Sequence, residues 1–232
     1  MAIGFPVLPD QWDYLVHFTG RARSKSSSVP AEIRRKTARE RFDGILEEGA
    51  IHAFRPYGGG PPVVSFTEAV QSSLEHLIEA DQFEPWGLVF AKSTVYAEGG
   101  GPVWYVRDDL HQQVPSALRG WAVRTTDPSV SGRGTSRWTH EREWRVPGTG
   151  DPLQFGFALA GLHAVIVPQS EFSSVEAGLD RDVQSLNTRL EQLGRRQLRH
   201  TEAPRVWMWN SSRKRLWDFR RFGDGGNGLA GR

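Results

Sequence analysis

Cysteine is absent from this 232-residue chain. That excludes a disulfide framework, thiolate metal sites and cysteine nucleophiles. A chain of this length can bury a core without such staples. Long apolar runs are also missing, and the run ending at Val167 is far too short to cross a bilayer. The opening MAIGFPVLPD has no basic segment followed by an apolar stretch, so no secretory leader is expected. The expectation is a cytoplasmic protein with no membrane partner. No GxxxxGK[ST] or GxGxxG phosphate loop occurs, and no histidine–carboxylate spacing fits zinc, so no metal is expected. The glycine triplets at 58–60 and 99–101 read as turns.

What is present is unevenly placed. Net charge is only +2, yet from Arg189 to Arg221 ten basic residues face three acidic ones, Glu191, Glu202 and Asp218. Such an excess suits a polyanion. Within it Arg213, Lys214, Arg215 and Trp217 form a basic-aromatic cluster, a combination that fits nucleic acid. A solvated surface that keeps the protein soluble explains it equally simply. Of nine tryptophans, Trp104, Trp144, Trp207 and Trp209 lie in segments that read as buried strands.

Periodicity predicts strands at Tyr14–Thr19, around Ile51, over VVSFT, and at Trp86–Ala91, Pro102–Val106, Glu141–Val146, His163–Val167 and Arg205–Trp209. Helices are predicted over Ala31–Glu48, Glu68–Ala80, Asp108–Leu118 and Phe172–Leu193. A glycine-rich loop is expected between Ala91 and Pro102, and a polar loop over 125–136. Short strands mixed irregularly with helices indicate an α+β domain with mostly antiparallel sheets and flanking helices. It should span 1–222 as a single domain, with 223–232 as a flexible Gly-rich tail.

Three strand-borne blocks draw attention: Leu15-Val16-His17-Phe18-Thr19, Val64-Ser65-Phe66-Thr67-Glu68, and His140-Glu141-Arg142-Glu143-Trp144-Arg145. Between the first two, Ile45-Leu46-Glu47-Glu48-Gly49 ends a predicted helix. This order resembles the ADP-ribosyltransferase-like fold. There a first strand carries His or Arg, a helix ends in an "IL-x-x-G" phrase, a second strand carries Ser, Thr or Tyr, and a late strand carries Glu. The phrases HFT, VSFTEAVQSSLEHL, WGLVFAK, GPVWYV and EREWRVP also resemble the AbiGi-like abortive phage resistance family, over roughly residues 12–168.

The resemblance implies NAD as substrate, with cleavage of its nicotinamide glycosidic bond and transfer of ADP-ribose to a macromolecular acceptor, nucleic acid or protein. It casts Glu143 as the catalytic carboxylate, facing an oxocarbenium-like transition state. His17, Thr19, Ser65 and Phe66 become the NAD-binding candidates, and Phe66, Tyr96 and Tyr105 the aromatics that could stack on nicotinamide. Glu141, two residues before Glu143, would share its strand face and orient the acceptor. The same resemblance admits a non-catalytic antitoxin or regulator of an abortive-infection system, acting with a cognate toxin or antitoxin. A nucleic-acid-binding module using the basic C-terminal third is a third reading. Each block also has an ordinary explanation: a hydrogen-bonded core histidine, a serine leading into a helix, and a salt-bridged strand face. His76 and His140 read as surface histidines.

Overall fold

The computed structural model describes residues 11–21, 29–56, 58–126, 141–199 and 202–218, with the backbone of 219 and 227–228. Thirteen strands and six α-helices occur among them. In chain order they are β1 (Tyr14–Phe18), α1 (Ala31–Arg35), α2 (Ala38–Glu48), β2 (Ala50–His52), β3 (Val63–Thr67), α3 (Gln71–Glu79), β4 (Gly87–Ala91) and α4 (Lys92–Ala97). Then follow β5 (Gly101–Pro102), β6 (Trp104–Arg107), α5 (Asp108–His111), a 3-10 turn (Ser116–Trp121), β7 (Ala122–Thr125), β8 (Glu143–Pro147), β9 (Gln154–Gly156) and β10 (Leu162–Pro168). The chain closes with α6 (Phe172–Gln192), β11 (Arg205–Asn210), β12 (Arg215–Phe219) and β13 (Asn227–Gly228).

Nine strands form one sheet in the order β13-β12-β11-β10-β4-β1-β3-β8-β5. Every neighbouring pair is antiparallel except β10 and β11. Parallel neighbours need a long crossover, and α6 supplies it. The expected α+β class with a mostly antiparallel sheet and flanking helices holds. Strand alternation sorts the apolar side chains onto two faces. One face packs Leu15, Phe66, Leu88, Phe90, Trp144 and Val165 against Phe42 of α2 and Val175 and Leu179 of α6. The other packs Val16, Val89, Ile166, Trp207 and Trp209 against Leu74, Leu77 and Ile78 of α3. Each such fully buried side chain contributes about 1.5–3 kcal/mol.

Several expectations need correction. The helix predicted over Ala31–Glu48 is two, because Lys36 is extended and Thr37 begins a new helix. Thr37 accepts from the Glu40 amide while the Glu40 carboxylate takes the Thr37 amide, a reciprocal capping box. Gly49 ends α2 in the left-handed region at φ 64°, as its place after the last turn suggested. The loop expected after Ala91 contains α4. Helix α3 starts at Gln71, leaving Glu68 outside it. The helix predicted over Asp108–Leu118 is α5 followed by the 3-10 turn. Trp104 is 49% exposed, whereas Trp144, Trp207 and Trp209 are buried. Within the expected Gly-rich tail, Asn227 and Gly228 pair with β12; the remaining residues of 223–232, His140, and 127–136 of the expected polar loop lie outside the described residues.

Strand β10 carries a titrating group at the seam between strands. His163 stacks on Tyr14 at 4.0 Å and sits edge-on to Trp207 at 6.0 Å. Loss of water, with Arg205 nearby, pushes its imidazole from 6.5 down to about 4. The unfolded chain therefore binds this proton more readily than the native state between those two values. Stability at this site is full above about pH 6.5 and is lost as pH falls toward about 4. His163→Phe, which keeps the ring stack, should flatten that slope in urea unfolding at pH 7, 6, 5 and 4; an unchanged slope would assign the acid sensitivity elsewhere.

Candidate functional site

The central sheet opens between two of its strands. β1 is registered with β4 over five pairs but with β3 at one, Val16 opposite Thr67. Beyond that pair the strands part, and a cavity of about 680 Å³ lies at the opening. Its size is in the range of small-molecule sites. His17, Thr19, Ser65, Glu141, Glu143 and Arg145 all line it.

Ser65 and Thr67 face the same way as Arg145 and Glu143, since β3 and β8 pair Ser65 with Arg145 and Thr67 with Glu143. Ser65 Oγ donates to Glu143 Oε1 at 2.7 Å. Arg145 grips the same carboxylate through both edges, Nε to Oε1 at 2.8 Å and Nη2 to Oε2 at 3.1 Å. Its remaining Nη1 donates to the Gly120 carbonyl. A carboxylate offers about four lone-pair positions. Three are taken, and the one left is on Oε2. The Glu143 backbone amide donates to the Tyr105 hydroxyl at 2.8 Å, which ties β6 to the base of the site.

His17 comes to the opening from the face of Phe66, whose ring lies edge-on at 5.8 Å. Its Nδ1 is 2.9 Å from the Ser65 carbonyl oxygen. A carbonyl accepts only, so Nδ1 carries the hydrogen. Burial pushes the imidazole below its ordinary value, against the opposing pull of the Ser65 carbonyl. In the neutral ring Nε2 is then an acceptor, able to take a ligand hydroxyl.

The other expected site residues fare differently. Thr19 is 4% exposed, and its hydroxyl is turned to the Ala38 and Trp86 carbonyls. Phe66 does not reach the cavity: at 2% exposure it packs edge-on to Phe90 and Phe155 in the core. Tyr96 is 67% exposed on α4, and Tyr105 meets the site through its hydroxyl. Glu141 is not on the strand with Glu143. β8 begins at Glu143, and Arg142 between them takes a left-handed φ of 46°. Glu141 still lines the cavity, but Arg21 holds its carboxylate at 2.8 and 3.1 Å.

Behind the opening, Glu68 is 8% exposed and anchors the turn at Arg142. It accepts from the Trp144 indole at 2.6 Å and from Lys92 at 2.9 Å, and Arg142 lies at 3.5 Å. A charge buried this deeply is tolerated only with such partners. Arg145 belongs to the salt-bridged strand face that the alternation suggests, two residues from Glu143. Its bond to Gly120, the Arg21–Glu141 pair and the partners of Glu68 join segments 24 to 120 residues apart, which nothing local announces. The basic-aromatic cluster is part of the β11–β12 hairpin. Lys214 pairs with Glu79 of α3 and Arg213 lies 5.5 Å over the Trp217 ring. Arg213, Lys214 and Arg215 are exposed and do not line the cavity.

No helix among the described residues is long and apolar enough to cross a membrane, and no group of three metal-ligating side chains is found among them. No protein-family description, curated relative or solved structure matches this chain.

The Arg145–Glu143 pair is nearly dry, with side chains 7% and 13% exposed. Arg145→Met should strand the carboxylate and lower the unfolding free energy by about 3–5 kcal/mol. Adding Glu143→Leu should recover most of that loss in the same denaturant titration. A double variant no better than the single would place the stabilisation elsewhere.

Proposed function

We propose that this chain is an ADP-ribosyltransferase-like protein that takes NAD as substrate and transfers ADP-ribose to a macromolecular acceptor, in keeping with its resemblance to the AbiGi-like abortive phage resistance family. The observation that carries the reading is that His17, Ser65 and Glu143, from three separate blocks, lie on the adjacent strands β1, β3 and β8 around one cavity. The serine-to-glutamate hydrogen bond supports it further.

The chemistry asks little of the protein beyond placement and charge. The bond from the ribose anomeric carbon to the nicotinamide nitrogen breaks, and its electron pair neutralises the pyridinium. The sugar carries positive charge until an acceptor nucleophile adds and gives up its proton. Glu143 would stabilise that charge and use the open Oε2 position for a ribose hydroxyl. His17 Nε2 would take another hydroxyl and fix the ribose against it. Ser65 and Arg145 hold the carboxylate in place. Glu141, on the same cavity wall, remains the proposed acceptor-orienting residue once Arg21 releases it.

A second reading has its own observation. Arg145 occupies both carboxylate oxygens, which suits a fold that keeps its site without turning over, as in an antitoxin or regulatory component.

The two readings separate on one pair of measurements. Incubation with nicotinamide-labelled NAD should release nicotinamide, and Glu143→Gln, nearly isosteric but uncharged, should cut the rate by a hundredfold or more. NAD should also raise the Tm of wild type and of Glu143→Gln alike, because binding to the native state stabilises it. A Tm shift without release by wild type favours the non-catalytic component. Neither a shift nor release, across protein, RNA and DNA acceptors, removes the NAD reading.

A further inference from the structure

Helix α2 has a glycine in its middle. Gly44 lies between Asp43 and Ile45, well inside Ala38–Glu48. Glycine in a helix interior is unfavourable because it gives up the most backbone freedom. Such a glycine is usually explained by a neighbour that leaves no room for a side chain. Here there is room. A Cβ on Gly44 would meet nothing closer than the Lys36 Nζ at 3.9 Å. Gly44 lines the cavity, so the space that a side chain would fill is cavity space.

The charges around that space are one-sided. Each carboxylate lining the cavity is already engaged: Glu143 by Arg145, Glu141 by Arg21, and Glu48 by His52 at 2.8 Å. Of the six lining Lys and Arg side chains, Arg21, Arg124 and Arg145 pair with carboxylates, and Lys36, Arg41 and Arg55 pair with none among the described residues. Glu40, whose carboxyl feels Lys36, is held by the Thr37 amide and hydroxyl. Arg41 is fixed by three backbone carbonyls, those of Thr19, Ile33 and Lys36, and by no carboxylate among the described residues. Those contacts use three of the five guanidinium N–H groups. Its charge is positioned without being neutralised.

We propose that the cavity wall built by Lys36, Arg41, Gly44 and Arg55 is a pyrophosphate subsite, in which the phosphates of a dinucleotide lie against the bare backbone of α2 at Gly44. This rests on the NAD reading above for the identity of the ligand. Lys36 and Arg55 sit at the exposed rim, where long cationic side chains can swing onto phosphate oxygens, while Arg41 presents a fixed guanidinium behind them. The arrangement assigns the two ends of the ligand: phosphates toward α1–α2, and the reacting ribose toward β3 and β8.

Gly44→Leu tests this with opposite effects on stability and binding. Leucine is the better helix former, so the Tm of the free protein should stay level or rise. The same substitution should weaken ADP-ribose binding at least tenfold, read by isothermal titration calorimetry. ADP-ribose is the probe because it carries the pyrophosphate without nicotinamide. Lys36→Gln with Arg55→Gln should also weaken it at least tenfold and make the affinity less sensitive to salt. Wild-type affinity in Gly44→Leu, or in the double charge variant, overturns the subsite. So does a wild type that binds neither ADP-ribose nor inorganic pyrophosphate. Binding of a single-stranded oligonucleotide that Gly44→Leu abolishes, with no ADP-ribose binding, overturns the dinucleotide assignment. The catalytic reading fails separately: ADP-ribose binding with the expected variant pattern, but no nicotinamide release from NAD, leaves the subsite standing.

Discussion

Backbone amides and carbonyls removed from water must be bonded somewhere, and a sheet that stops pairing in its own middle has to find other partners. This is the constraint at β1 and β3. Past Val16 and Thr67 the two strands no longer share a ladder, and side chains take over. His17 bonds the Ser65 carbonyl, Arg41 bonds the Thr19 carbonyl, and the Thr19 amide turns back to Trp86. The histidine that looks like a ligand contact is thus also a structural one. Both roles are compatible, because the carbonyl occupies Nδ1 and leaves Nε2.

The same opening explains the density of charge around it. A cavity in the middle of a sheet exposes the ends of strand side chains that would otherwise be apolar. Here Glu143 and Arg145 fill those positions on β8, Glu141 joins them from just before the strand, and each is held by an opposite charge or a carbonyl. Exposed ion pairs contribute little, but Arg145 and Glu143 are largely removed from solvent, so losing either partner is costly. Glu68 plays the corresponding part behind the strand. By holding Trp144 and approaching Arg142, it keeps the left-handed turn that brings Glu141 and Glu143 to one cavity from different backbone frames.

The sequence was informative where the chemistry is local. Strands with β-branched and aromatic runs, the amphipathic α3, the Gly49 cap and the order of the His17, Ser65 and Glu143 phrases could all be read from it. The division of α1 from α2 was also legible, since Thr37-Ala38-Arg39-Glu40 is a capping-box pattern, but the longer apolar periodicity masked it. β12 was hidden for another reason: the basic run Arg213-Lys214-Arg215 leads into it, and Leu216 alone among its described side chains is buried, too little to show alternation. Glu141 does not share the strand face of Glu143 that their spacing suggests, because nothing local announces a left-handed arginine between them. Phe66 resembles a ligand residue only through its neighbours Ser65 and Thr67, whereas alternation along β3 sends it to the core. Glu68 and Arg21 depend on partners distant in sequence, which no periodicity encodes, whereas the Arg145–Glu143 pair follows from two-residue alternation.

The two walls of the cavity are held with different firmness. On the β8 side, Gly60 sits at φ 100° where a Cβ would lie 2.4 Å from the Gly120 nitrogen, so the 58–60 turn is pressed against the 3-10 segment. Gly120 in turn accepts from Arg145, and Arg145 holds Glu143. That chain of close contacts fixes the carboxylate from outside the sheet. On the opposite wall α1 buries none of its residues, and the Arg41 guanidinium joins the α1–α2 break to the end of β1. Local opening costs least where few apolar groups are buried. On the NAD reading proposed above, a firmly held carboxylate wall and a more loosely held cationic wall would suit a long anionic substrate. On that reading the exposed Lys36 and Arg55 would adjust to gather the phosphates, while the glycosidic bond would meet a carboxylate that does not move.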